Sequence, residues 1–425
     1  MKVLLLGSGG REHTLAWKIA QSKLCEELYI APGNAGTAEC GVNLNFSDSD
    51  VEKIKECIIE KQIDILVVGP EQALVNGIYD CIKNDKKTEK TIVIGPSQAG
   101  AVLEGSKDFA KAFMSKYNIP TADYQSFDKE NIEGALEYIQ TLKAPYVLKA
   151  DGLAAGKGVL ICHTIEEAKH EINAMLLSEK FGKASRKIVI EEFLKGIELS
   201  VFVLTDGEHY LVLPSAKDYK RIGENDTGLN TGGMGAISPP PFADKIFMSK
   251  VEQKIIIPTI EGLKKEKITY KGFIFIGLMK VDDEPYVIEY NVRMGDPETE
   301  VVVPRINNDL LDLFLHVENQ TLDQVTLAIN SQVAATVMLV SKGYPEAYEK
   351  GKIISNVQNV QNSYVFHAGT KLNDKGELVS NGGRVLAVTS MGASIQEALG
   401  LSYQNADLID FENKHYRRDI GKDIL

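Results

Sequence analysis

A chain of 425 residues, 44% hydrophobic and 25% charged, has room for roughly two to four globular domains with buried cores. Its formal net charge of -12 weighs against a general nucleic-acid coat, which needs a basic surface, but still permits a local basic pocket for phosphate. The five cysteines (Cys25, Cys40, Cys57, Cys81, Cys162) form no C-x-x-C pair and read as reduced thiols rather than a zinc site, and no apolar run has the length of a leader or a membrane span, so a cytoplasmic protein without membrane or nucleic-acid partners is expected.

Residues 2–6 (Lys-Val-Leu-Leu-Leu) read as a buried parallel strand, followed by a glycine turn and a helix over 12–22. Short apolar runs at 28–31, 63–68 and 91–94 alternate with helical stretches, the pattern of a parallel α/β sheet. The charged stretch 83–90 is a surface connection. A helix over 106–116 and a turn at 118–120 come next. From 146 to about 203 strands, a glycine loop and a helix describe a small α+β subdomain. Residues 211–241, rich in Gly, Pro, Asn and Asp, read as a long functional loop with little regular structure. A helix over 241–263, strands at 272–281 and 286–292, and a final block with strands at 333–340, 363–369 and 384–389 complete the chain.

Several motifs carry chemistry. Gly7-Ser8-Gly9-Gly10-Arg11-Glu12 sits where a dinucleotide fingerprint sits, but Glu12 replaces the third glycine and the second strand ends without an acid for ribose. A nicotinamide cofactor is therefore not expected; backbone N–H groups at the helix start remain suited to an anion. Gly69-Pro70-Glu71 is a second turn on the same sheet edge. Lys149-Ala-Asp-Gly152-Leu-Ala-Ala-Gly156-Lys157-Gly158 fails the P-loop spacing and lacks its Ser/Thr, yet three glycines and two lysines between two strands suit a hairpin folded over a triphosphate. Glu289, Asn291 and Arg293 alternate along one strand and share a face. The first two are hard oxygen ligands for magnesium, and the third is a fork for a phosphoryl group. The glycine-rich run from Asp218 to Ala236 can hold a small zwitterion, with Asp218 for the amine and backbone N–H groups for the carboxylate.

The order of glycine hairpin, Glu191-Glu192-Phe193-Leu194 and Glu289-x-Asn291 resembles the ATP-grasp superfamily. Four further runs are similar to the phosphoribosylamine–glycine ligase family: 7–13 (Gly-Ser-Gly-Gly-Arg-Glu-His), 32–37 (Pro-Gly-Asn-Ala-Gly-Thr), 230–236 (Asn-Thr-Gly-Gly-Met-Gly-Ala) and 293–300 (Arg-Met-Gly-Asp-Pro-Glu-Thr-Glu). The C-terminal runs 366–371 and 382–386 fit the same family. The resemblance implies a multidomain α/β and α+β chain: a substrate-binding parallel α/β domain over 1–104, an ATP-grasp region over 105–328 with a lid at about 121–192, and a C-terminal α+β domain over 329–425. It implies ATP-dependent, ADP-forming ligation of glycine to 5-phosphoribosylamine in purine biosynthesis, with magnesium or manganese. A monomer that receives its labile amine by transient handover from the preceding enzyme is expected.

Carried onto this sequence, the resemblance places Lys107, Lys149 and the cover Gly152, Gly156, Lys157 and Gly158 on ATP phosphates. Glu191, Glu192, Phe193 and Leu194 fall at adenine, Glu198 at ribose, and Glu289 and Asn291 at the metal. Asp218, Thr231, Gly232, Gly233, Met234 and Gly235 fall at glycine. Gly9, Gly10, Arg11, Glu12, Asn34, Gly36, Thr37, Glu71, Asp296 and Glu298 face the phosphoribosylamine. Arg293, Lys149 and Asp218 are the expected catalytic residues. The sequence departs from the family pattern at Ala73, Tyr219, Leu229 and Met294, and 275–279 (Phe-Ile-Gly-Leu-Met) lacks the acid many ATP-grasp enzymes carry there. A biotin-dependent carboxylase and a non-catalytic nucleotide binder are the competing readings.

Overall fold

A computed structural model describes residues 1–425 except 155 and 156. Parallel strands lie in the order Val42–Asn43, Glu27–Pro32, Lys2–Gly7, Ile65–Val68, Ile92–Pro96. Val3 to Leu6 are wholly buried, as a strand covered on both faces requires. Chain order reverses between Lys2–Gly7 and Ile65–Val68, so the ligand crevice of such a sheet falls over Gly7–Gly10 and Gly69–Glu71.

The sheet does not stop at residue 104. Strand Tyr270–Val281 pairs with Ile92–Pro96 through Tyr270↔Pro96 and Lys271↔Gly95, and along its length with Ile197–Thr205 and Glu284–Asn291. The N-terminal and ATP-grasp regions thus share one nine-stranded sheet. A six-stranded sheet joins the 211–241 region to the C-terminal block: Gly235–Ser238 pairs with Val333–Ser341. The expected long loop therefore contains short strands at Lys217–Asp218, Arg221–Gly223, Thr227–Asn230 and Gly235–Ser238. Arg221–Gly223 and Thr227–Asn230 pair with each other, whereas Lys217–Asp218 and Gly235–Ser238 were hidden because the strand that organises them, Val333–Ser341, lies about a hundred residues away.

Helix ends follow their caps. The first helix is Gly10–Ile19, two residues earlier than expected, because Glu12 turns back to accept the Gly9 N–H at 2.7 Å. The helix expected over 241–263 begins at Lys245, where Asp244 accepts the Phe247 N–H, and passes through a π-helical turn at Glu252–Ile256 before Ile257–Lys265. No helix among the described residues is long and apolar enough to cross a membrane.

Residues 124–192 form a separate antiparallel sheet, ordered Tyr124–Asp128, Lys187–Glu192, Tyr146–Ala150, Val159–Cys162, with its own core around Leu148, Ile172, Met175 and Ile190. Buried charge ties this layer to the body. Glu191 pairs with Lys149 at 2.8 Å and with Lys111, on helix Lys107–Lys116, at 3.3 Å; all three side chains are 5% exposed or less. Burial pulls the Lys111 ammonium down to about 8 against the pull of Glu191.

The first helix and strand Tyr364–His367 of the C-terminal block meet at a histidine pair. The His367 N–H donates to His13 Nδ1 at 2.7 Å, and the rings pack edge-on at 5.4 Å. Burial, with His367 beside it, draws His13 down to about 3; burial alone draws His367 down to about 4. An unfolded imidazole takes its proton at about pH 6.5, so this pair costs nothing above that pH and destabilises the fold progressively as pH falls from 6.5 towards 4. Ring-proton NMR should show both histidines neutral throughout about pH 7 to about pH 5; a protonation shift of either in that range contradicts the buried junction. Replacing Glu191 with alanine leaves two buried ammonium groups unpaired and should lower unfolding free energy by about 3–5 kcal/mol, read from urea denaturation. A loss below about 1 kcal/mol, the range of exposed pairs, contradicts the triad.

Candidate active site

The site forms where the antiparallel sheet of residues 124–192 meets strand Glu284–Asn291. Lys149, at the base of the glycine hairpin, donates to Ile288 O at 3.1 Å, which brings its ammonium beside Glu289. Lys107 starts its helix next to Asp151, whose Oδ1 accepts from Ser106 Oγ at 2.9 Å and from the Asp108 N–H at 2.8 Å. Burial pushes Glu289 up, but Lys220, Lys107 and Lys149 together outweigh it and hold the carboxylate below its ordinary value. Burial lowers Lys107, opposed by Glu289. The hairpin is anchored at its base: the Gly152 N–H donates to Ala184 O at 3.2 Å, and Gly158 O accepts from the Ala150 N–H at 2.8 Å. Lys157 is exposed, and Gly156 lies outside the described residues.

The expected adenine segment follows directly. Glu191 spends its carboxylate on Lys149 and Lys111, so only its backbone remains for a base. Glu192 Oε1 accepts the Asp123 N–H at 3.1 Å; Phe193 is exposed and Leu194 half-buried. Glu198 pairs with Lys220 and lines one cleft with Asp218, Phe275, Gly277 and Glu289. Asp218 is raised by burial and by Glu198, against Lys220. Gly277 stands opposite Glu289 in the strand register, and a Cβ there would meet Glu289 Cγ at 3.2 Å, so the glycine lets the carboxylate's stem pack close to the neighbouring strand.

The 231–235 loop differs from expectation in one respect. The Gly232 N–H donates to Tyr344 Oη at 2.9 Å, the Gly233 N–H to Thr231 Oγ1 at 2.9 Å, and the Met234 N–H to Tyr219 O at 2.7 Å. These three groups are not the free donors a carboxylate needs; the loop bonds its own N–H groups to stay rigid. Thr231 also donates to Lys220 O at 2.8 Å, and Gly235 O accepts the Tyr219 N–H at 3.0 Å. Gly233 has φ +119°, and a side chain there would meet Pro297 at 2.3 Å.

The N-terminal turns also supply their own anion. Glu12 sits between Gly7, Gly9 and Gly69, where any Cβ would come within 3 Å of it, and accepts from Arg11 Nε at 2.5 Å. That carboxylate fills the space a pyrophosphate takes in a dinucleotide site. Arg11 also donates from Nη1 to Met294 O at 3.1 Å, and its N–H faces Asp296 Oδ2 at 3.4 Å. Gly10 packs on Glu300. Asn34 is structural: its amide nitrogen donates to Ser8 O and His367 O, and its oxygen accepts the Gly36 and Thr37 N–H groups. Thr37 Oγ1 accepts the Asn34 N–H at 2.7 Å and has Asn43 Oδ1 at 2.8 Å and Asn34 O at 3.0 Å as acceptors for its one proton.

Arg293 is the hub of this end. Its Nη2 donates to Glu104 Oε1 at 2.7 Å and to Asn291 Oδ1 at 3.3 Å, and its Nε faces Glu71 Oε2 at 3.4 Å. Glu298 accepts from Ser200 Oγ at 3.2 Å; burial, with Asp218 nearby, pushes it up to about 8.

Sequence reasoning missed Lys220, Lys111 and Glu104. Lys220 lies two residues beyond Asp218 and Lys111 one helical turn beyond Lys107, spacings that share a face and could have revealed both. Glu104 carried no local signal. The departures are accommodated: Tyr219 donates to Asp423 Oδ1 at 2.7 Å, Ala73 and Met294 are buried, and Leu229 is exposed.

Comparison with known proteins gives the family. Models of the phosphoribosylglycinamide synthetase N domain, ATP-grasp (A) domain and C domain match residues 1–104, 105–299 and 334–423. A phosphoribosylamine–glycine ligase of Neisseria meningitidis serogroup B is 45% identical over 424 residues, 99% of either chain. One from Caldanaerobacter subterraneus subsp. tengcongensis is 42% identical over 423 residues, again 99% of each. The crystal structure of phosphoribosylamine–glycine ligase from Thermotoga maritima superposes with a TM-score of 0.86 at 37% identity, covering 99% of this chain and 100% of that one. A biotin carboxylase domain from Hydrogenobacter thermophilus shares the fold alone, with a TM-score of 0.73 at 15% identity over 97% of this chain and 91% of its own. By full-length identity and by all three domain models, the chain belongs to the phosphoribosylglycinamide synthetase family.

Proposed function

We propose that this chain ligates glycine to 5-phosphoribosylamine, converting ATP to ADP and phosphate and yielding glycinamide ribonucleotide for purine biosynthesis. Family membership supports the reaction. The observation that carries it to this site is the contact of Lys149 with strand Glu284–Asn291, beside a carboxylate held charged by three lysines.

Each group then has a task. Lys107, Lys149 and the hairpin bind the triphosphate. The backbone of 191–194 meets adenine and Glu198 the ribose. Glu289 and Asn291 are the residues that would hold magnesium or manganese. The fit is chemical: an ionised carboxylate and an amide lie on one strand, and no three His, Cys, Asp or Glu converge as a cage among the described residues. Two protein ligands suit a hard cation that takes its other oxygens from phosphate and water. When bound, such an ion offsets charge gathering on the moving phosphoryl group. The glycine carboxylate attacks the γ-phosphorus, and ADP leaves. The amine then attacks the glycyl phosphate carbonyl, phosphate leaves with the C–O bonding pair, and the proton lost from the nitrogen goes to the departing phosphate or to water. Lys220, beside Asp218, supplies positive charge at the carboxylate. Asp218 takes the glycine ammonium. Arg293, Glu71, Asp296 and Glu298 shape the amine side, with the turns of Gly9–Glu12 and Asn34–Thr37 as its framework. No enzyme nucleophile is needed; positioning and electrostatics suffice. The division at 104 and 328 with a lid over 121–192, a monomeric state, a cytoplasmic setting and transient handover of the amine belong to the same proposal.

Glu289→Ala should lower kcat by about 10²-fold or more in an ADP-release assay with glycine and freshly prepared phosphoribosylamine. Undiminished turnover contradicts the metal assignment. Lys220→Met should lower kcat/KM for glycine by about 10²-fold, and an unchanged value removes Lys220 from the site. ADP release that depends on bicarbonate and not on glycine would replace the whole reading with that of a carboxylase.

A further inference from the structure

Two residues of the C-terminal block reach into the glycine loop. Arg384 opens the strand Arg384–Gly392, within the run Gly382-Gly-Arg-Val-Leu that has no role in the chemistry above. Its Nη1 donates to Gly232 O at 2.7 Å and to Asp296 O at 2.7 Å, and its Nη2 pairs with Asp296 Oδ1 at 3.0 Å. Tyr344 Oη accepts the N–H of the same Gly232 at 2.9 Å. Gly232 is thus gripped at both backbone polar groups by side chains from beyond residue 330. The loop it belongs to presses on the Asp296-Pro297 turn, with no room at Gly233 for a Cβ.

We infer that Arg384 and Tyr344 are positioning residues, which hold the 231–235 loop against the Asp296 turn and so set the shape of the glycine subsite from the C-terminal block. The inference rests on the proposal that glycine sits at Asp218 and Lys220, whose segment this loop holds through Thr231 Oγ1 on Lys220 O and the Met234 N–H on Tyr219 O. A guanidinium suits the task because one planar fork can meet two carbonyls and a carboxylate at fixed angles; an ammonium cannot. Its charge also lies beside Asp296 and the buried carboxyls of Glu298 and Glu300. Asp296 further faces the Arg11 N–H, so one contact joins the C-terminal strand, the acidic turn and the first helix. Lys149, Lys107 and the adenine segment make no contact with the clamp among the described hydrogen bonds, which predicts a selective defect.

The test is steady-state kinetics on the full chain carrying Arg384→Gln, Arg384→Lys or Tyr344→Phe, with ADP affinity measured on each by calorimetry. Arg384→Gln should raise KM for glycine by about ten-fold or more while changing ADP affinity by less than about two-fold. Arg384→Lys should fall between it and wild type, and Tyr344→Phe should show a smaller shift of the same kind. Glycine KM unmoved in all three variants overturns the clamp, as does a parallel loss of glycine and ADP binding in Tyr344→Phe, which removes one hydroxyl and keeps the fold testable if Arg384→Gln fails to fold. Wild-type chain that releases no ADP with glycine defeats the underlying reading instead.

Discussion

The structure depends on where the ammonium of Lys149 is held. It sits between the Glu191 carboxylate and the carbonyl of Ile288, and so joins the sheet of 124–192 to the strand that carries Glu289 and Asn291. A buried lysine is costly unless paired and hydrogen-bonded, and here both conditions are met. The same contact that makes burial tolerable places a positive charge beside Glu289. Lys111 shares Glu191 from the helix below, so the pairing also fixes the sheet of 124–192 on the body.

Charge is sorted sharply within an acidic chain. The formal net charge of the chain is -12, yet Lys107, Lys149 and Lys220 all act on one carboxylate in the cleft. At the other end, Asp296, Glu298 and Glu300 are gathered near Arg11, Arg293 and Arg384. Burial raises both Glu298 and Glu300, with Asp218 adding to the shift of Glu298 and Asp296 to that of Glu300. The arginines are used as forks on carbonyls and carboxylates together, which fixes loops from three sequence regions in one geometry.

Much of this was legible in the residues, and the limits have physical causes. Alternation placed Glu289, Asn291 and Arg293 on one face, and the structure keeps them together, with Arg293 bonded to Asn291. Failure of the dinucleotide fingerprint at Glu12 was legible too, but not that Glu12 would occupy the vacated crevice; that depends on the packing of Gly69 against it. Long-range strand pairing stayed hidden. Nothing local says that Tyr270 meets Pro96, or that Gly235–Ser238 joins Val333–Ser341. The 231–235 N–H groups looked available because a glycine-rich run offers donors; their partners, Tyr344 and Tyr219, came from elsewhere in the chain.

The central claim is that this cleft first phosphorylates glycine and only then meets the amine. Positional isotope exchange tests it most directly, with ATP carrying heavy oxygen in the β,γ-bridge and glycine present without a reactive amine. The account predicts glycine-dependent scrambling of the label into the β-nonbridging positions, as ADP and glycyl phosphate form and revert in the closed site. Scrambling absent with glycine, in a preparation that turns over normally when the amine is added, would contradict it.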